Sequence, residues 1–128
     1  MIRLLPKSEL KALSLKAEAD CLTQSDLAVT CEQFEVEPRD VLNELAVSVA
    51  EGYLQGALTY DFCDTVMNGM INAVVDLGMT NELPEPAYSL YHAFDQGEWI
   101  RSSDPPETEP SEKYTKPMVQ EIMRTLKG

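Results

Sequence analysis

Apolar residues recur at spacings of three and four along most of the chain, with polar residues between them, and that period predicts helices. Ser8 is placed to cap a first helix reaching about Leu22, with Leu10, Leu13, Ala17 and Cys21 on one stripe. A short second helix is expected from Ser25, carrying Leu27, Ala28, Cys31 and Phe34. Pro38 suits the first turn of a third, whose stripe is Leu42, Leu45, Ala46, Val49, Tyr53 and Leu54 and whose end is Gly56 as a left-handed cap. Thr59 opens the most regular helix, with Phe62, Cys63, Val66, Met67, Met70, Ile71, Val74 and Leu77 on a single face and Gly78 as its stop. A fifth begins near Glu85-Pro86, buries Ala87, Leu90, Tyr91 and Phe94, and stops at Gly97. The last runs from Thr115 to Lys127 on Met118 or Val119, Ile122, Met123 and Leu126.

No run of alternating β-branched residues longer than a few positions occurs, so the fold class is all-α: an irregular single-domain bundle of five or six helices. Residues 1–100 form the helical core and 115–128 a C-terminal helix packing on the same domain. The acidic loop at 101–114 joins them; it holds three prolines and nothing apolar that could pin it, so it reads as a mobile tether. Gly52 and Gly69 lie inside helices, where glycine costs about 1 kcal/mol relative to alanine, and so mark close helix crossings.

Charge changes this picture more than composition does. The chain carries 22 acidic and 10 basic residues, a net charge of −12, and has no Lys or Arg between Val41 and Ile100. Nucleic-acid binding needs clustered cations, so nucleic acid is excluded as a partner, and an anionic membrane surface would repel the same region. A basic protein would be attracted, although solubility alone accounts for much surface acidity. No apolar stretch is long enough to span a bilayer, and the apolar start Met1-Ile2-Arg3-Leu4-Leu5 is too short for a signal peptide. Cys21, Cys31 and Cys63 are odd in number and far apart, so they read as small buried apolar residues of a reducing compartment. A cytoplasmic protein is the expectation.

Catalytic constellations are scarce. His92 precedes Asp95 by three residues and Asp95 precedes Glu98 by three, a row that could hold a metal if the helix continued through Gly97. The paired Glu-x-x-His motifs of carboxylate-bridged metal bundles are missing, so the row reads as a solvated polar face with no metal and no cofactor. Asp61 and Asp64 suit the positive end of the fourth helix, which explains them without acid–base chemistry. No nucleophile elbow, phosphate loop or base beside a cysteine is visible, so an enzyme is not the expectation.

Binding residues are easier to find, since four of the chain's nine aromatics fall between Tyr88 and Trp99, interleaved with Asp95 and Glu98. Aromatics rimmed by charge are the composition of protein-binding hot spots. Tyr91 and Phe94 fit the core, which leaves Tyr88 and Trp99 for a partner.

The segments Tyr60-Asp61-Phe62-Cys63-Asp64, Ala93-Phe94-Asp95-Gln96-Gly97-Glu98-Trp99 and Tyr114-Thr115-Lys116-Pro117 resemble those of small, acidic, helical bacterial proteins, some of them immunity proteins of toxin systems. The resemblance spans the last two-thirds of the chain and transfers no catalytic residue. It implies a stoichiometric inhibitor that binds a basic toxin, often a nuclease, and blocks its active site. On that reading Asp61, Asp64, Tyr88, Asp95, Glu98 and Trp99 are the partner-binding residues. Two alternatives are a structural or adaptor homo-oligomer, and a metal-dependent enzyme built on Asp61, Asp64, His92, Asp95 and Glu98.

Overall fold

Seven successive residues, Val41 to Val47, are buried in one helix, which is possible only if neighbours cover it on every side. That helix, α3 (Pro38–Leu54), is the axis of the molecule. The structure is a computed structural model that describes residues 4–127, without the side chain of Lys127. Around α3 pack α1 (Lys7–Ala19), α2 (Gln24–Phe34), α4 (Tyr60–Thr80), α5 (Ala87–Asp95) and α6 (Lys116–Lys127), and α5 also lies against α4 and α6. The fold is an all-α bundle, with six α-helices and no strand among the described residues.

Two polar residues inside α3 tie other segments to it. Asn43 Oδ1 accepts the N–H of Ala87 at 3.1 Å, capping the start of α5 from a neighbouring helix. Glu44 Oε1 accepts the N–H groups of Leu4 and Leu5 at 2.9 and 3.1 Å, which seats buried Leu5 on the bundle. The expected third helix is found from Pro38 at its first turn to Leu54, and Gly56 follows in the left-handed region with φ 77°. Thr59 caps α4 as its position predicts, its hydroxyl accepting the Phe62 N–H at 3.1 Å.

Several boundaries differ from the expectation, each for a local reason. Helix α1 begins at Lys7 without a Ser8 cap, and Asp20 leaves the helix so that its Oδ1 can accept the Cys21 N–H at 2.8 Å. Cys21 is therefore exposed and Cys31 only half-buried; Cys63 alone of the three is buried. Helix α2 starts at Gln24, one residue before the expected Ser25, because Thr23 caps it: Thr23 Oγ1 accepts the Asp26 N–H while Asp26 Oδ2 accepts the Thr23 N–H, a reciprocal capping box. Gly78 does not stop α4, which continues to Thr80; it leaves room for Leu83, whose Cδ1 would lie 2.6 Å from a β-carbon at that position. Gly97 does follow the end of α5, as expected, and is a spacer as well, because a β-carbon there would run into Thr115 Oγ1 and the Tyr60 hydroxyl. Gly52 makes room for Leu58 of the following turn, while Gly69 does mark a helix crossing, against Ala17 of α1. The last helix starts earlier than Thr115, through a π-helical turn at Ser111–Thr115 that lets Thr115 Oγ1 donate to the Ala93 carbonyl at 2.7 Å.

The 101–114 segment is pinned, contrary to the tether expectation, and by charge instead of apolar contact. The Arg101 guanidinium lies over the Trp99 ring at 3.8 Å and the Tyr114 ring at 3.6 Å, and donates to the Gln96 carbonyl at 3.1 Å. Asp104, with its side chain only 7% exposed, accepts from Lys113 Nζ at 2.5 Å and from the Tyr114 hydroxyl. These bonds hold the Asp104 carboxyl below its ordinary range. Among the described residues no helix is long and apolar enough to cross a membrane.

Candidate functional site

The first turn of α4 and the last turn of α5 are locked together by Tyr60, whose hydroxyl donates to the Phe94 carbonyl at 2.6 Å. Edge-on packing of Tyr53 on Phe94, with centroids 5.1 Å apart, backs that contact from α3. Phe94 is fully buried, so the junction belongs to the core and fixes which residues emerge beside it.

What emerges is acidic. Asp61 and Asp64 lie one turn apart on α4, and Asp95 and Glu98 come up beside them from α5 and the turn after it. Asn68, one turn beyond Asp64, donates to Glu98 Oε2 at 3.3 Å and holds that side chain over α4. The Asp64 carboxyl is pushed up to about 8, first by burial and then by a hydrogen bond with Glu98 and the negative charges of Glu98, Asp95 and Asp61. A carboxyl held at about 8 keeps its proton at neutral pH, so Asp64 faces its acidic neighbours uncharged. Among the described residues no Lys or Arg is one of the groups that set this balance. The same field, after burial, raises the nearby phenols: Tyr60 through Asp64 and Glu98, Tyr91 through Asp95, Glu98 and Asp64.

Four of the six residues named from the sequence, Asp61, Asp64, Asp95 and Glu98, thus lie within mutual electrostatic reach. Tyr88 is a turn before Tyr91 on α5, their rings 6.4 Å apart, and is 37% exposed. Trp99 follows Glu98 and is 50% exposed; Ile100 beside it is 71% exposed. Sequence reasoning missed Tyr60, Asn68, Tyr91 and Arg101, which position these groups. Asn68 had a signal, its i+4 spacing from Asp64, whereas Arg101 had none, because its partners Trp99 and Tyr114 flank a loop.

His92 is exposed on α5, and among the described residues no group of three or more His, Cys, Asp and Glu is arranged to hold a metal ion. The Cys63 thiol is pushed up to about 12, by burial and then by Asp64, far from the range of a nucleophilic thiolate. Comparison with known proteins finds no matching family model, no matching curated protein and no matching solved structure.

A stability prediction follows from Asp64. Between its unfolded value near 3.8 and its folded value of about 8, the folded state holds a proton that the unfolded state has lost, so Asp64 makes stability fall as pH rises through that window. Asp64→Asn, a neutral isostere, is expected to raise the melting temperature at pH 8.5 by about 2–5 °C and to change it little at pH 4. Thermal melts at both pH values check this, and an equal effect at both would refute the raised Asp64 carboxyl.

Proposed function

We propose that this chain is a protein-binding inhibitor of the immunity or antitoxin kind, which covers the basic active site of a toxin with the acidic face on α4 and α5. The observation that carries the reading is the convergence of Asp61, Asp64, Asp95 and Glu98 from two helices, with no cation of the chain's own among the charges that set Asp64. Such a face is incomplete in charge, and a Lys or Arg side chain from a partner would complete it while displacing the Asp64 proton. Trp99 and Ile100 supply exposed apolar area at its edge, the combination on which binding energy concentrates. A nuclease fits this chemistry, because it must present positive charge to its substrate and an acidic protein can occupy the same field.

The test is capture with the tagged protein from its host's lysate at low and at high salt, followed by an activity assay on whatever is retained. A single stoichiometric basic protein, held less tightly as salt rises and inactivated by the complex, is the expected result. Recovery of this chain alone, or of a partner indifferent to salt, would remove the inhibitor reading.

A further inference from the structure

One cation of this chain is held as a ligand would be. The Arg101 guanidinium lies over the Trp99 ring at 3.8 Å and over the Tyr114 ring at 3.6 Å, measured to the ring centroids. Its Nη2 donates to the Gln96 carbonyl at 3.1 Å and to Gln96 Oε1 at 3.0 Å, and its Nη1 to the Trp99 carbonyl at 3.3 Å. Two ring faces and three oxygen acceptors thus converge on one group. They suit a planar cation with a fork of donors, and a compact ammonium would use them poorly. Among the described residues Arg101 makes no ion pair, so no charge pair is broken when it leaves.

Most of this slot is positioned by bonds that do not involve Arg101. Tyr114 rides on the π-helical turn Ser111–Thr115, which Thr115 Oγ1 ties to the Ala93 carbonyl of α5, and its own hydroxyl donates to Asp104. Gln96 is the C-cap of α5, its N–H bonded to the His92 carbonyl at 3.1 Å. Lys113 Nζ, 5.3 Å from the centroid of the Tyr114 ring, is bonded to Asp104 at 2.5 Å and does not contend for the slot. Arg101, by contrast, opens the loop, and Ser102 and Ser103 beyond it are exposed, so its side chain can swing into solvent without moving a buried residue. Trp99 is itself half exposed and follows Glu98, which places the slot at the edge of the acidic face.

We propose that the slot formed by Trp99, Tyr114 and Gln96 is a binding site for an arginine side chain of a partner protein, filled by Arg101 in the free chain and vacated when that arginine arrives. The exchange sets one guanidinium in place of another on the same rings and acceptors, so it costs little at the slot itself. Arg101 is tethered beside the slot and outcompetes an isolated arginine, so exchange needs a second contact, which Asp95 and Glu98 offer to a cation next to the incoming arginine. Selectivity follows: a basic surface without an arginine at that spacing leaves Arg101 in place. That the arginine belongs to a toxin rests on the inhibitor reading, whereas the slot and the exchange do not.

Titration of the purified full chain with Nα-acetylarginine amide, followed by Trp99 fluorescence and NMR at constant ionic strength, tests the slot. Arg101→Ala empties it and should bind this probe with a Kd of about 1–10 mM, at least tenfold more tightly than the native chain, with Arg101→Lys between them. Nα-acetyllysine amide, its side-chain amine free, should bind Arg101→Ala at least tenfold more weakly, and adding Trp99→Leu should abolish the difference between the two probes. On the native chain at low salt, the peptide acetyl-Lys-Arg-Lys-amide should move the Arg101 Nε–H resonance to its position in free arginine, and acetyl-Lys-Lys-Lys-amide should leave it in place. Unchanged helical circular dichroism shows that the variants fold, and Arg101→Lys retains a cation on the rings should the alanine variant lose the loop. No saturable arginine binding by either variant, affinity indifferent to residue 101, or an Arg101 resonance unmoved by the arginine peptide would each overturn the proposal. No toxin is present in these titrations, so their failure leaves the inhibitor reading standing, and failure of the lysate capture leaves the slot standing.

Discussion

Gly69→Ala is expected to destabilise the protein by about 2 kcal/mol or more, lowering the melting temperature by roughly 5–10 °C. Two effects compete. In a helix interior the exchange gains about 1 kcal/mol from backbone entropy. Against it, a β-carbon at Gly69 would collide with the carbonyl oxygen and carbon of Ala17, which are backbone atoms of α1 and have no rotamer through which to yield. One helix must move off the other, and the separation would also strain the bond from the Leu22 N–H to the Gly69 carbonyl, 2.9 Å long, that fixes the turn after α1. The steric cost wins. Gly78→Ala provides the internal control, because its obstruction is Leu83 Cδ1, the far end of a flexible side chain. There the entropy gain and the small rearrangement should nearly cancel, leaving stability within about 0.5 kcal/mol of the wild type. Thermal and denaturant melts of the two variants decide the matter, and equal stabilities would mean that α1 and α4 do not cross where described.

The same glycines show how far the sequence could be read. Gly69 inside a regular apolar stripe is a legible sign of close packing, since nothing local explains the loss of helix propensity. Gly78 looks like a helix stop by position, yet α4 runs through it and it is a spacer for Leu83, which arrives from elsewhere; Gly97 does follow the end of α5 and also makes room for Thr115 and Tyr60. A stop and a spacer differ only in a tertiary neighbour, which periodicity does not contain. Helix starts were easier, as Pro38 and Thr59 show, because capping is chemistry within four residues. The cap of α2 at Thr23, two residues before the expected start at Ser25, is marked by the Thr23–Asp26 reciprocity. The 101–114 segment was opaque for a different reason. Its anchors are Arg101, Asp104 and Tyr114, polar or aromatic residues whose pairing depends on a chain reversal that no pattern announces.

For the acidic face, spacing identified the two halves separately: Asp61 with Asp64 on one helix, Asp95 with Glu98 at the end of another. Their meeting depends on the bond from Tyr60 to the Phe94 carbonyl and on the absence of a side chain at Gly97, neither of which is visible in a helical wheel. The Asp64 proton was still less accessible. It arises from burial of Asp64 against a neighbour thirty-four residues away, where spacing alone offers only dipole compensation at a helix start.

If that face receives a cationic partner, reversing it with Asp95→Lys and Glu98→Lys together should weaken the complex by about 100- to 1000-fold, roughly 3–4 kcal/mol. Charge alone does not account for such a loss, and Glu18→Lys with Glu32→Lys supplies the comparison: both residues are exposed on α1 and α2, and the change in net charge is identical. That control should lower the association rate a few-fold through the long-range field and leave dissociation unchanged. Affinity should also depend on pH with a definite sign. Below about 8 the Asp64 carboxyl holds a proton that a docked Lys or Arg expels, so binding strengthens as pH rises from 6 to 8, by at most about tenfold per unit for one proton, and then levels off. Asp64→Asn removes the titrating group and should flatten the slope. Calorimetry in buffers of different ionisation enthalpy measures the released proton directly. Binding that is independent of pH, or equally impaired by the two charge-reversal pairs, would show that the partner is drawn by net charge and docks elsewhere.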